Sequence, residues 1–249
     1  MKTLSKIVAN HATKYRELLE GNWNSTKLSE KQSKQILKRI DDVLTLLPAA
    51  ITQAHERIIG GRSVASKDKL LSLYESEINV IVRGKAGAEV EFGNTLMIAE
   101  QSNGIVIDWE FVKEQSPGDA VLIKDILKRS YENLEIYPEA LGGDRGFNSQ
   151  DLESFLEENK IFNGICPKGV LKMKSKLKDD KFVKLQTRRS QTEGRISILK
   201  NVFFGKPMRS KGFGNRHVEI ASSIFAHNLW VLARMPVARE TEEELEEAA

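Results

Sequence analysis

The chain has 249 residues, 40% of them hydrophobic and 29% charged, with a formal net charge of +3 at pH 7. This composition excludes disordered and fibrous proteins, and the length suffices for one sizeable hydrophobic core. No segment approaches the roughly 18 apolar residues of a membrane span, so no membrane partner is expected. The single cysteine, Cys166, excludes an intramolecular disulfide and is typical of a reducing cytoplasm.

The net charge is unevenly distributed. The acidic tail, residues 240–249, carries six Glu, so residues 1–239 hold 38 basic and 29 acidic side chains, a net charge of +9. Residues 168–216 contain fifteen Lys and Arg and only three acids, one of them Glu193. A positive field of this kind favours polyanions, most commonly phosphate backbones. The alternative is a solvated lysine-rich face.

Residues 1–66 are predicted to form a helical segment. Apolar residues recur at helical spacing over residues 3–60. Ser29 stands where an N-cap is expected, and Gly60 and Gly61 predict the end of the second helix.

From residue 69 the pattern changes to short β-rich segments. KLLSLYES (69–76) and INVIVRGKAG (78–87) each predict a strand, the first ending in Glu75. Residues 90–112 predict two strands around a turn at 102–104. An amphipathic helix over 116–134, with Asp119 near its start, follows a Pro-Gly break.

The remaining elements alternate between strand and helix. The pattern predicts a strand in 138–147, a helix in 148–160 capped by Asn148 or Ser149, a strand in 161–169, a basic helix including 186–202, and a last helix over 217–235. This order predicts an α/β domain with a mixed sheet over residues 67–239.

The basic helix presents a row of three chemically distinct side chains. Glu193 lies four residues after Arg189 and Lys200 eleven after it, which places all three within roughly 40° on an α-helix. Gln186 lies near the same stripe. The simplest interpretation is an exposed ion pair that contributes a few tenths of a kcal/mol, with a solvated lysine beside it.

Two further carboxylates follow predicted strands. Asp144, in GGDRGF, lies at the carboxyl end of a strand, where open α/β sheets bind ligands. Glu75 ends the first predicted strand in the same way. If Glu75, Asp144 and Glu193 converge, they offer the all-oxygen site that Mg²⁺ prefers. Two such ions about 3.5–4 Å apart promote phosphoryl transfer. A turn Asp and an exposed strand-end Glu are the structural alternatives.

These segments resemble a known family. The spacing of Arg189, Glu193 and Lys200 is similar to the signature around the third acid of DDE transposases from bacterial insertion sequences. RGKAGAEVEFGNTLMIAEQSNGIVIDWEFV, SPGDAVL, GGDRGF and FAHNLWVLAR resemble further family segments in the same order, over roughly residues 55–235. The family motif begins with a Tyr before the Arg, where this chain has Gln186.

The resemblance implies a ribonuclease H-like catalytic domain, with a mixed five-stranded sheet flanked by helices. It implies that Glu75, Asp144 and Glu193 are the catalytic acids and bind Mg²⁺ or Mn²⁺, as two ions. The implied partner is DNA, namely the terminal inverted repeats of the element and the target DNA. The resemblance also implies that the active form is a homo-oligomer. The protein would lie in the cytoplasm, associated with the nucleoid. Arg189 and Lys200 would contact DNA near the cut. Further candidate DNA contacts are Arg188, Arg195, Lys206, Arg209 and Lys211.

Two departures leave alternatives open. Most DDE enzymes have Asp where this chain has Glu75, and Asp108 is the alternative first acid. Family members also carry an N-terminal DNA-recognition domain, so a shortened copy is expected here. The second hypothesis is therefore a catalytically inactive DNA-binding remnant.

Overall fold

The structure is a computed structural model that describes residues 2–85, 88–205 and 208–235. Two compact units are present, one formed by Met1–Asn94 with Lys113–Gln115 and the other by Thr95–Val112 with Ser116–Ala249. The first unit thus extends past residue 66, where the sequence predicts a domain boundary. The described helices and strands are α1 (Lys2–Asn22), α2 (Glu30–Ile58), β1 (Asn79–Lys85), β2 (Ala88–Gly93), β3 (Leu96–Glu100), β4 (Val106–Phe111), α3 (Asp119–Leu134), β5 (Ala140–Gly143), α4 (Gln150–Glu158), β6 (Phe162–Ile165), α5 (Val170–Lys176), α6 (Asp180–Ile198) and α7 (Phe213–Leu232).

The first unit begins with a hairpin of two long helices, as predicted. Ser29 is the N-cap of α2 and forms a capping box, because its hydroxyl accepts from the Gln32 amide while the Gln32 side chain accepts from the Ser29 amide. Between the helices, the Arg16 guanidinium donates to Asp41 over 2.6 Å. The helix α2 ends before Gly61, whose φ of +61° favours glycine.

The predicted strand over residues 69–76 is wrong. The Gln53 side chain bonds both the amide and the carbonyl of Leu70, at 2.7 and 2.9 Å, so these groups cannot pair with a strand. The Ser72 hydroxyl accepts from the Glu75 amide in a turn. The first strand, β1, begins only at Asn79, and it pairs antiparallel with β2.

The second unit contains two strand pairs. β3 and β4 are antiparallel around the predicted turn, where Gly104 has φ +94°. β5 and β6 are parallel, with Ala140 opposite Phe162. The α/β prediction is confirmed, and within the described ranges the strands form three separate two-stranded sheets. The helices predicted over 116–134 and 148–160 are confirmed as α3 and α4, and Ser149 caps α4.

Two apolar clusters hold the second unit together. The larger one joins the inner faces of α3 and α4 to β3 and β6, through buried residues that include Ile126, Leu152, Leu156 and Ile165. The second joins α7 to β4, and it includes Val106, Ile220 and Ile224. Burial of these side chains is the main favourable contribution to folding. Among the helices of the described ranges, none is both long and apolar enough to cross a bilayer.

Candidate catalytic and nucleic-acid-binding site

Helix α6 carries four of the ten predicted site residues, namely Arg188, Arg189, Glu193 and Arg195. Its first turn is capped by Asp179, whose carboxylate accepts from the amides of Lys181 and Phe182. The Phe182 ring is fully buried and fixes this end of the helix. After Ile198 the chain continues in a π-helical segment, Leu199–Phe203. The prediction of a long basic helix is therefore confirmed, but Lys200 lies in the wider π turn, where the α-helical angle no longer applies.

Gln186 ties α6 to the ends of β5 and β6. Its amide nitrogen donates to the carbonyls of Gly164, at 2.6 Å, and Gly143, at 3.2 Å, and its oxygen accepts from the Cys166 thiol. The helix can approach closely because Gly164 has no side chain, and a Cβ there would lie 2.6 Å from Leu185 Cδ1. The residue that departs from the transposase motif thus bridges the helix and both strands.

Asp144 follows β5 directly, at the edge of the sheet where the sequence predicts it. Its carboxylate accepts from the Gly146 amide over 2.6 Å and caps a short 3₁₀ turn. A Cβ on Gly146 would lie 2.9 Å from Asp144 Oδ1 and 3.3 Å from Asp119 Oδ2. The carboxylate of Asp119, the first residue of α3, therefore also lies against Gly146. The sequence identified Asp119 only as a helix-start residue.

The predicted contact between Arg189 and Glu193 is confirmed. Arg189 Nη1 lies 2.9 Å from Glu193 Oε1, and the Glu193 side chain is 64% exposed. Glu193 is seven residues, or about 10 Å along the helix axis, from Gln186 and on nearly the same face. The carboxylate is thus open to solvent and paired with one cation.

The two candidates for the first acid have different surroundings. Glu75 lies in the turn after Ser72, in the first unit. Asp108 lies on β4, where its carboxylate accepts from Arg129 Nε at 3.1 Å. Burial by itself lowers the pKa of Arg129, but the hydrogen bonds and charges of Asp108 and Glu110 outweigh it and raise the pKa overall. Asp108 is therefore part of an ion pair that joins β4 to α3.

A metal site at the end of β5 would draw on the two carboxylates beside Gly146. Asp144 and Asp119 supply the carboxylate oxygens that Mg²⁺ prefers. Over residues 2–85, 88–205 and 208–235, however, no three Asp, Glu, His or Cys side chains are grouped closely enough to hold a metal ion. The convergence of Glu75, Asp144 and Glu193 therefore remains a prediction.

Glu100 organises the opposite side of α6, a role that no motif in the sequence indicates. Its side chain is only 9% exposed at the end of β3. Thr192 Oγ1 donates to it over 2.6 Å, Arg188 Nη2 lies at 3.3 Å, and Arg195 Nη1 lies at 3.8 Å. The guanidinium groups of Arg188 and Arg195, both predicted DNA contacts, are thus directed at a carboxylate of the same chain.

Other predicted DNA contacts are open to solvent. Lys200, Arg209 and Lys211 are exposed. The loop that carries Arg209 and Lys211 is fixed to α7, because Glu219 accepts from the Ser210 amide at 3.2 Å. Lys206 lies outside the described residues.

Some of the basic residues between 168 and 216 have structural roles. Lys176 donates to the Asn163 carbonyl on β6 over 2.7 Å, and burial lowers the pKa of this lysine. Arg216 is buried in α7. The exposed positive surface is therefore smaller than the residue count suggests.

Comparisons with known proteins leave the family open. No protein-family model matches the sequence, and no curated protein or solved structure matches it either.

Proposed function

We propose that the chain is the catalytic part of a DNA transposase, which cleaves the ends of an insertion sequence and joins them to target DNA. The observation that supports this most strongly is the arrangement of α6. The exposed Arg189–Glu193 pair lies on a helix that Gln186 anchors to the end of β5, directly before Asp144. This arrangement agrees with the ordered motifs that resemble DDE transposases.

A ribonuclease H-like fold is part of the proposal. The antiparallel pair β3–β4, the parallel pair β5–β6 and the packing of α6 on β5 and β6 are compatible with it. Asp144 follows β5, and Glu193 lies on α6, which packs on β5 and β6. They are proposed as the second and third acids, with Glu75 as the first acid and Asp108 as its alternative.

The carboxylates of Glu75, Asp144 and Glu193 would hold Mg²⁺ or Mn²⁺. Such ions activate the attacking oxygen and stabilise the leaving one. In the first step water attacks the phosphorus at the end of the element, and the P–O3′ bond breaks to release a 3′-hydroxyl. In the second step this hydroxyl attacks a target phosphate and displaces a target 3′-hydroxyl.

The cations near these acids would hold the DNA backbone. Arg189 adjoins Glu193, and its planar guanidinium suits bidentate phosphate contacts. Lys200, Arg209 and Lys211 are exposed and would bind phosphates without reading sequence. Arg188 and Arg195 would act indirectly, by holding α6 against Glu100.

The proposal is tested with purified protein and duplexes that carry the DNA flanking its gene. We expect nicking at the element end that requires Mg²⁺ or Mn²⁺, and strand transfer of the nicked product. Asp144→Asn and Glu193→Gln should each lower the nicking rate by at least about a hundredfold, by analogy with the loss of other groups that stabilise transition-state charge. Glu157→Gln, at an exposed carboxylate on α4, is the matched control. Nicking that survives both substitutions would refute the assignment.

A second candidate function is binding of DNA without catalysis. It is favoured by Glu75, which stands where most DDE enzymes have Asp. It predicts salt-sensitive DNA binding that persists in the Asp144→Asn, Glu193→Gln double variant and needs no divalent ion. Metal-dependent nicking by the wild-type chain would exclude this alternative.

A further inference from the structure

Helix α6 follows β6 toward the carboxyl end of the parallel strand pair. Near the start of both elements, Lys181 Nζ lies 4.8 Å from the centre of the Phe162 ring. One turn further along α6, Leu185 packs so closely on Gly164 that a Cβ there would lie 2.6 Å from Leu185 Cδ1. The next residue, Gln186, reaches carbonyls at the ends of both strands. The later turns of α6 therefore continue past the strand ends, toward the edge that carries the proposed site.

A single oxygen atom joins α6 to the ends of both strands. The Gly143 carbonyl accepts from the Gln186 side chain and from the Cys166 amide, each over 3.2 Å. This carbonyl belongs to the peptide group that links Gly143 to Asp144. The Gln186 amide also donates to the Gly164 carbonyl and accepts from the Cys166 thiol, so both of its polar ends are engaged within the protein. Gln186 is thus held in one orientation against the peptide group that precedes Asp144.

The position of Glu193 depends on this anchor. Glu193 lies on nearly the same face of α6 as Gln186 and about 10 Å further along the helix axis. A tilt of α6 by about 6° about the anchor therefore moves the Glu193 carboxylate by about 1 Å. A misplacement of about 1 Å can lower a catalytic rate about a hundredfold. The contacts with Glu100 join the other side of α6 to β3, whereas Gln186 joins it to the strand that precedes Asp144.

We infer that Gln186 is a positioning residue, which sets the distance between the second and third acids, Asp144 and Glu193. The inference rests on the proposed function, because these acids act together only if they form the proposed metal site. It gives Gln186 a role at the position where the family motif has Tyr. A phenol hydroxyl has a single hydrogen to donate, so it cannot replace an amide that donates to two carbonyls. Because α6 already packs tightly on Gly164, the longer ring would also push the helix away from the strands.

Single-turnover nicking of duplexes that carry the element end tests this role. Gln186→Leu and Gln186→Tyr should each lower the rate at saturating Mg²⁺ about a hundredfold, as expected for a displacement of about 1 Å. The dissociation constant for DNA should stay within about twofold, because the Gln186 amide is engaged within the protein and affects only the chemical step. Mn²⁺ should restore at least about tenfold of the rate, because Mg²⁺ demands near-ideal octahedral geometry more strictly than the larger Mn²⁺.

The control for lost stability is Leu152→Ala, which truncates a side chain of α4 that is 1% exposed. It should lower the melting temperature in circular dichroism, as the Gln186 variants do. At a temperature at which all variants are folded, it should leave the Mg²⁺ rate and the ratio of Mn²⁺ to Mg²⁺ rates within about twofold of wild type. Nicking by the Gln186 variants at the wild-type rate, or with the wild-type ratio of metal rates, would overturn the inference and leave the proposed function intact.

The reactivity of Cys166 tests the anchor without any cleavage assay. Cys166 is the only cysteine in the sequence, so labelling with an aromatic disulfide reagent reports on this thiol alone. Gln186→Leu removes the acceptor of the thiol and should speed labelling at least about fivefold, the equivalent of one hydrogen bond, whereas Leu152→Ala should not. Unchanged labelling would overturn the inference. Faster labelling together with a wild type that does not nick DNA would instead refute the proposed function, and with it the role of Gln186.

Discussion

Replacement of Glu100 by Gln should destabilise the second unit more than any other single carboxylate change there. The side chain is 9% exposed and is surrounded by Arg188, Thr192 and Arg195. Glutamine keeps the shape and one acceptor oxygen but removes the negative charge. Two guanidinium groups, 21% and 23% exposed, would then face each other without the carboxylate between them.

The expected cost follows from these surroundings. Removal of one partner from a buried ion pair costs about 3–5 kcal/mol, whereas exposed pairs contribute about 0–1 kcal/mol. Because both arginines keep about a fifth of their side-chain surface in water, we expect a value near the lower limit for buried pairs, about 3 kcal/mol. For a unit of this size that corresponds to a fall in melting temperature of about 6–12 °C.

Urea unfolding followed by tryptophan fluorescence measures this cost. Trp109 on β4 and Trp230 on α7 report on the second unit, and Trp23→Phe removes the signal of the first. Asp151→Asn is the control, because Asp151 is 75% exposed in its ion pair with Lys124 and should cost at most about 1 kcal/mol. Equal unfolding free energies for the Glu100 and Asp151 variants would refute the role of Glu100.

Three further predictions concern other parts of the chain. Gln186→Leu should cost about 2 kcal/mol in urea unfolding, because it leaves the carbonyls of Gly143 and Gly164 without the side-chain donor that now reaches them. The hydrogen bond from Arg16 lowers the pKa of Asp41 below its ordinary value of 3.8. The pair therefore stabilises the hairpin above pH 3.8, and this contribution disappears as the pH falls through the lowered pKa. The difference in melting temperature between wild type and Asp41→Asn should shrink from about pH 5 to about pH 2.5, and a constant difference would contradict the prediction. Replacing the exposed cations Lys200, Arg209 and Lys211 by Gln, one at a time, should weaken binding to unrelated DNA duplexes in fluorescence anisotropy, and each substitution should reduce the slope of log affinity against log salt by about one, because one fewer phosphate is neutralised.

Local signals in the sequence were sufficient for most elements of the fold. The capping box at Ser29, the turn at Gly104 and the cap at Ser149 each depend on residues within a few positions of one another. Such signals are readable without tertiary information. The Arg189–Glu193 contact belongs to the same class, because it depends only on helical spacing.

Contacts between distant segments were not predictable. The strand expected over residues 69–76 does not form, because the side chain of Gln53, on α2, hydrogen-bonds the backbone amide and carbonyl of Leu70. The environment of Glu100 is created by residues 88 and 92 positions later, and an isolated carboxylate at the end of a strand gives no sign of it. The position of Asp119 beside Asp144 depends on the packing of α3 near the end of β5. In each case tertiary structure decides which partner a polar group meets.

The most direct measurement of the central claim is cleavage of the polypeptide by hydroxyl radicals generated from bound Fe²⁺, which substitutes for Mg²⁺ at carboxylate sites. If Glu75, Asp144 and Glu193 share metal ions, the chain should be cut near residues 75, 144 and 193, excess Mg²⁺ should suppress all three cuts, and Asp144→Asn should abolish them while Glu157→Gln does not. Cuts confined to other segments, or cuts unaffected by Asp144→Asn, would contradict a catalytic site built from these acids.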